Sequence, residues 1–193
     1  ANIGLYSIFA AKENHKCEII AFEPSGLNLG ILEKNINLNK VNQNVKIFPI
    51  GLADKSNSFF DMYESSEEEG GALSSFGSDT GFDGNKINSL NNYKLFGTTI
   101  NALVKDNILK IPNYIKIDVD GIEHLIIEGG EKVLLHTKEL LVEINENFEE
   151  QNNNSNKYLK QFGFDLKEKK RSELFQNNKN FSSLYNQIWV KKK

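Results

Sequence analysis

The sequence has little cysteine, little proline and no long apolar run. Cys17 is the only cysteine in 193 residues, so no internal disulfide can form, and a reducing, cytoplasmic setting is expected. No apolar stretch approaches the ~20 residues that a membrane span needs, and no signal peptide is visible. Charge of neither sign dominates. The 23 Lys and Arg against 26 Asp and Glu leave −3, which gives no electrostatic ground for a nucleic-acid partner or an acidic membrane. What remains is ordinary for one globular domain with a real core: 39% hydrophobic and 25% charged residues. The many asparagines, among them Asn35, Asn37, Asn39, Asn42, Asn44 and 152–154, are expected at turns and on the surface. Lys191, Lys192 and Lys193 are expected to form a solvated tail.

Apolar strand-like runs alternate with helical patterns, the signature of βαβ units and a parallel sheet. Residues 4–12 read as a helix with Leu5, Ile8 and Phe9 on one face. EIIAF at 18–22 reads as a buried strand ended by Pro24, with Ser25 as the cap of a helix carrying Leu29, Leu32 and Ile36. Residues 45–50 form another strand and 59–63 an added one. Asn101 is expected to cap a helix over 102–109, and Pro112 leads into a strand over 114–118. A helix interrupted near Gly129 and Gly130 follows, then a strand at 140–144, a helix at 156–162, and strands at 164–169 and 185–190 that suit an antiparallel pair. The chain reads as one domain, 1–193. Residues 1–55 form a cofactor-binding half, 56–100 a variable loop or hairpin region, and 101–193 a catalytic and C-terminal half.

Two features point to a nucleoside-binding crevice. Gly4 starts the first helix, where unpaired N–H groups can face an anion. Glu23 ends the next strand about 20 residues on, the offset of an acid that accepts from ribose hydroxyls. Carboxylates then cluster late in the chain: Asp118, Asp120 and Glu123, with Glu143 at the end of the neighbouring strand. In an open α/β sheet ligands sit outside the carboxyl ends of strands, so Asp118 and Glu143 are expected to face one crevice. Asp120 and Glu123 read equally well as the cap and first turn of a helix. The spacing fails as an EF-hand, with Lys116 and Ile127 at the outer ligand positions, and no metal is expected. Asp79-Thr80-Gly81 matches an aspartic-protease triplet, but it lies in a glycine-rich loop of an α/β chain.

ANIGLYS at 1–7 resembles the second half of the glycine loop of class I methyltransferases, and most closely the FkbM family. AFEP at 21–24, KNINLN at 34–39, GLAD at 51–54, KIDVDGIEHLIIEGG at 116–130 and LLVEINE at 140–146 resemble that family's later segments, in the same order. The resemblance implies a doubly wound, mostly parallel seven-stranded sheet ending in an antiparallel pair, with the first strand missing from an N-terminally truncated chain. It implies S-adenosylmethionine as cofactor, held by Asn2, Ile3, Gly4, Glu23, Pro24, Leu52 and Asp118. It also implies O-methylation of a hydroxyl on a sugar, other glycan or natural-product small molecule. Asp118, Glu143 and His124 are the candidate catalytic residues. Two departures stand out: Asp120 replaces a commoner Glu, and Asn145 stands where relatives often carry His.

The glycine-rich stretch from 64 to 96 is expected to be a lid, with Phe76, Phe82 and Phe96 closing over a ligand, or else an insertion without fixed structure. Two other functions compete. A nicotinamide-dependent Rossmann oxidoreductase shares the glycine turn and ribose acid, but its third glycine is not evident after Gly4. A non-catalytic nucleoside-binding module derived from a methyltransferase has only Asn145 in its favour.

Overall fold

The computed structural model describes residues 1–171, 178 and 181–192. The first half is small. Strand β1 (Ile19–Phe22) pairs in parallel with β2 (Val45–Phe48). Helices α1 (Leu5–Glu13) and α2 (Gly26–Leu38) contribute Ile8, Ala11, Leu32 and Ile36 to one cluster with Ala21, Val41 and Val45. Ile8 is buried as expected, but Leu5 and Phe9 are 68% and 65% exposed. The helix packs along its Gly4–Ile8–Ala11 row, which turns the Leu5–Phe9 row outward.

A meander follows: β3 (Gly51–Leu52), β4 (Ser58–Glu64), β5 (Ser75–Phe76) and β6 (Asn91–Thr98), in the order β3-β6-β4-β5. β4 and β6 are antiparallel along their length; β4 is the strand expected at 59–63, while β5 and the start of β6 give regular structure to 75–76 and 91–96 of the stretch read as a lid or loop. Helix α3 (Ile100–Lys105) is capped by Thr99, whose side chain accepts from the Ala102 N–H at 3.0 Å. Asn101 instead accepts from the Val133 N–H at 3.1 Å. It therefore ties α3 to the next helical unit rather than capping α3.

The last sheet runs β7-β8-β10-β9, from β7 (Tyr114–Ile117), β8 (Glu139–Asn145), β9 (Phe164–Lys170) and β10 (Leu184–Lys191). β7 and β8 are parallel, while β10 lies antiparallel between β8 and β9. Helices α4 (Glu123–Glu128), α5 (Glu131–Leu134) and α6 (Glu149–Gln161) cover it. Gly129 lets the α4–α5 break approach the meander: a Cβ there would lie 2.3 Å from the Ala53 carbonyl oxygen. The larger core centres on Trp189, Phe164, Leu140, Val142, Ile144, Ile127 and Leu159.

The mixed α/β class and the antiparallel C-terminal pairing agree with the sequence reading. A continuous, mostly parallel seven-stranded sheet does not. The strands form three hydrogen-bonded sheets, because β1 bonds only to β2 and β7 only to β8 among the described residues; the β1–β2 unit has its own apolar cluster, while the meander and the last sheet share the larger one. Two local readings also change. Helix α6 starts at Glu149, seven residues before the expected 156. Lys191 belongs to β10, and its ammonium donates to the Leu134 and Phe162 carbonyls at the ends of α5 and α6, where a cation is favoured. Lys193 lies outside the described residues.

Candidate active site

The candidate site is built where β1, β7 and β8 end. Its first wall is the turn at residues 1–4. Asn2 and Gly4 have φ of 51° and 91°, and a Cβ on Gly4 would fall 2.6 Å from Leu32 Cδ1. Conformation and space both call for glycine there. Glu23, immediately after β1, is 5% exposed. Its Oε2 accepts from the Asn2 N–H at 2.5 Å and lies 2.9 Å from the Ala1 amino nitrogen, while its Oε1 accepts from the Ser25 N–H at 2.9 Å. One carboxylate thus binds the turn and the start of α2 together. Asn35, expected at the surface, donates to the Ile3 carbonyl at 2.9 Å and holds the turn from behind. Pro24 follows Glu23, and the next side-chain hydroxyl, Ser25 Oγ, is buried without a hydrogen-bond partner.

The second wall carries the acids. Lys116 and Asp118 alternate onto one face of the β7 segment and form an ion pair. The Lys116 ammonium also sits 3.8 Å from the centre of the Tyr6 ring. Glu143 hydrogen-bonds to Asp118, and burial first, then the charges of Asp118, Glu123 and Asp120, push it up to about 8. Asp120, at φ 61°, is raised to about 6, chiefly by burial and despite accepting the Leu73 N–H; the charges of Asp118 and Glu23 add to the rise. Tyr6 is raised by burial and by Asp118 and Glu143. Glu23, Asp118, Asp120 and Glu143 therefore share this region, with Lys116 ion-paired to Asp118 and the Ala1 amino group to Glu23, an excess of acid.

This imbalance has a consequence for stability. Glu143, Asp120 and Glu123, the last raised to about 7 by burial, all hold protons in the fold that the unfolded chain releases. Their stabilisation is complete below ordinary carboxylate values and is lost as pH rises through about 6 to 8. His124, lowered by burial, acts the other way, costing stability as pH falls below its ordinary value. The ligand-free chain is expected to melt lower at pH 8.5 than at pH 5.5. Glu143→Gln should recover on the order of 1 kcal/mol at pH 8.5, roughly 2–4 °C, with no gain at pH 5.5. Thermal scans at both values check this, and equal gains at both would refute the assignment.

The third wall comes from the meander. Between β4 and β5 the chain crosses the turn and the acids. The Gly71 carbonyl accepts from Asn2 Nδ2 at 3.0 Å and Asn28 Nδ2 at 3.2 Å, the Gly70 N–H donates to Asn28 Oδ1 at 3.0 Å, and the Leu73 N–H donates to Asp120 at 2.9 Å. The base of this crossing is fixed by buried Glu64, which accepts from Tyr93 Oη at 2.7 Å and Ser74 Oγ at 2.9 Å. Burial and this bond push the Tyr93 hydroxyl up to about 12. Of the three phenylalanines expected to close over a ligand, Phe76 is core, wedged at Gly51 and Gly97. Phe96 is in β6 with its ring against Phe59. Phe82 alone lies near β8, its carbonyl accepting from Asn145 Nδ2 at 2.9 Å. Asp79 pairs with Lys86 at 2.9 Å, which occupies the protease-like triplet in a local contact.

The structure thus brings Asn2, Gly4, Glu23, Asp118 and Glu143 to one region, with Ile3 and Pro24 beside them in sequence. Leu52 lies in β3 and packs against the larger core. His124 lies on α4, buried edge-on to Phe148, with Nε2 4.0 Å from Glu150, so its contacts are with α6 rather than with the acid pair. Glu123 does stand in the first turn of α4, yet it is fully buried and clamps the preceding turn. A hollow of about 530 Å³ between β6 and α3 is lined by none of these acids. Among the described residues no group of three or more His, Cys, Asp or Glu is arranged to hold a metal ion, and no helix is long and apolar enough to cross a membrane.

The Methyltransferase FkbM domain family matches residues 1–166. The chain belongs to that family. A solved structure, the methyltransferase FkbM from Methylobacillus flagellatus KT, shares the fold, with a TM-score of 0.60 at 12% identity. The match covers 98% of this chain and 41% of the solved one, so the FkbM domain here spans well under half of that relative's length. No curated protein matches significantly.

Proposed function

We propose that this FkbM domain binds S-adenosylmethionine and transfers its methyl group to a hydroxyl oxygen of a sugar, other glycan or natural-product small molecule. The observation that carries the reading is the charge of the site. Glu23, Asp118, Asp120 and Glu143 sit together, with Lys116 paired to Asp118 and the Ala1 amino group to Glu23; burial first, then the charges of the neighbouring acids, raises Asp120 and Glu143, and carboxylates outnumber cations. A cationic ligand fits that deficit. The anionic pyrophosphate of a nicotinamide dinucleotide does not, which weighs against the oxidoreductase.

When bound, the sulfonium supplies an electrophilic methyl group, so the chain's task is mostly positioning. In this reading Glu23 accepts from ribose hydroxyls while the Asn2–Gly4 turn lines the cofactor's other side. Asp118, paired with Lys116, takes the acceptor's proton, and Glu143, hydrogen-bonded to Asp118, orients it. The segment over Gly70–Leu73 excludes water. His124 supports the α4–α6 contact.

Calorimetry with S-adenosylmethionine, S-adenosylhomocysteine and NADH tests this. Binding of the two sulfur nucleosides and not of NADH is expected. Binding of NADH alone would favour the oxidoreductase. Binding of the nucleosides with no transfer to any of a panel of hydroxyl acceptors would favour a non-catalytic module.

A further inference from the structure

One buried chain of side chains lies outside the roles assigned above. Glu123, Gln151 and Asn145 are 1%, 1% and 3% exposed, and their polar atoms engage one another and three separate pieces of backbone. The Glu123 carboxylate accepts from the Val119 N–H at 2.9 Å, the Gly121 N–H at 3.1 Å and Gln151 Nε2 at 2.5 Å. Gln151 Oε1 accepts from the Asn145 N–H at 2.7 Å. The Asn145 side chain donates to the Phe82 carbonyl at 2.9 Å, and its Oδ1 accepts from the Asn147 N–H at 3.1 Å and Ser183 Oγ at 2.6 Å. Donors and acceptors alternate without a mismatch, so neither amide can be turned over without facing two like groups.

The chain starts at the turn that carries Asp118 and Asp120 and ends on the meander at Phe82. Those two ends also touch directly. Gly121, at φ 127°, approaches so closely that a Cβ would lie 2.6 Å from the Gly81 carbonyl oxygen. The same stretch is seated from the other side, since a Cβ on Gly84 would lie 2.9 Å from Phe148 Cδ2, and the Phe82 ring packs 5.1 Å from that of Phe181. Asn145 itself is two residues beyond Glu143 on β8. A fully satisfied buried network of this kind is rigid, and loss of one member leaves costly unpaired groups.

We propose that Asn145 is a positioning residue that, through Gln151 and Glu123, couples the seating of residues 81–84 to the alignment of the 118–121 turn, so that the two order as one unit. The coupling of loop to turn stands on the geometry alone. Its bearing on chemistry rests on the methyl-transfer reading, because only there does the alignment of Asp118 matter.

Asn145→Asp tests it with minimal change of shape. It keeps an oxygen for Asn147 and Ser183 and replaces only the donor to Phe82. Amide hydrogen exchange, read by mass spectrometry on the whole chain, should quicken about tenfold at 79–87 and by a comparable factor at 118–122. Gln151→Glu, which removes the donor to Glu123, should quicken both segments too. The double variant should be no faster than the faster single one, as expected for members of one network. Single-turnover transfer to a hydroxyl acceptor should slow about fivefold in each, while affinity for S-adenosylhomocysteine, the probe ligand, stays within about threefold.

Faster exchange at 79–87 with 118–122 unchanged, or strictly additive effects, would overturn the coupling. If Asn145→Asp does not fold, Asn145→Ser removes the same donor without a buried charge and carries the same expectations. If the unaltered chain binds no S-adenosylhomocysteine, the cofactor assignment fails, and the exchange data still decide the coupling.

Discussion

Glu23→Gln is expected to weaken S-adenosylhomocysteine binding about 30-fold, near 2 kcal/mol. Hydrogen bonds to a charged acceptor contribute roughly 1.5–3 kcal/mol each. An amide keeps one oxygen but turns a donor toward the second hydroxyl. In the ligand-free chain this carboxylate already accepts from the Ala1 amino group and the Asn2 and Ser25 N–H groups. A carboxylate has about four acceptor positions, so one is open to a ribose hydroxyl and a second hydroxyl takes the place of the Ala1 amino group. The substitution also removes at least one of these ties, which should lower the melting temperature by a few degrees. Calorimetry and a thermal scan on the same sample separate the two effects. Unchanged affinity in a folded variant would mean that the ligand does not reach Glu23.

Asp118→Asn is expected to have the larger effect on chemistry. Removal of a positioned general base lowers rates by about 10²–10⁴-fold, and the amide can neither accept the acceptor's proton nor pair with Lys116 as a charge. Affinity for S-adenosylhomocysteine should stay within about threefold, because the ribose contact is made by another residue. Single-turnover transfer to a hydroxyl acceptor gives the rate. Near-normal turnover would move the base elsewhere, with Glu143, which shares Asp118's hydrogen bond, the next to test. Glu143→Gln preserves a donor to Asp118, so it should slow transfer less than Asp118→Asn does.

Much of this site was legible in the sequence because strand ends are legible. Pro24 marks where β1 stops, which fixes Glu23 at its carboxyl end. The period of two in KID places Lys116 and Asp118 on one face. Parallel pairing of Ile117 with Val142 then brings Asp118 level with Glu143. The glycine turn was legible too, although its reason is packing against Leu32 as much as an anion-facing amide.

What escaped depends on contacts between segments far apart in sequence. Asn28 holds Gly70 and Gly71 across more than forty residues, and Gln151 reaches Glu123 across 28. Asparagine and glutamine carry no periodic signal, and their average preference for turns and surfaces points away from the buried roles of Asn28, Asn145 and Gln151. The region from 56 to 100 misled for a related reason. Its glycines suggested looseness, yet Asn28 holds Gly70 and Gly71, Gly81 lies against Gly121, and β4 and β6 pair along their full length. Asn101 showed the ordinary signature of a cap, but Thr99, two residues earlier, took that place and left it free to bond Val133.

The position of β10 between β8 and β9 has a kinetic consequence. While the chain is still leaving the ribosome, the segment that carries Glu143 has one neighbour and an open side, and Phe164–Lys170 has nothing to bond. Only β10 fills that gap and buries Trp189. The half that bears the proton-handling acids is therefore closed only once β10 has emerged, and until then the nascent protein exposes unpaired strand edges to chaperones and to other chains.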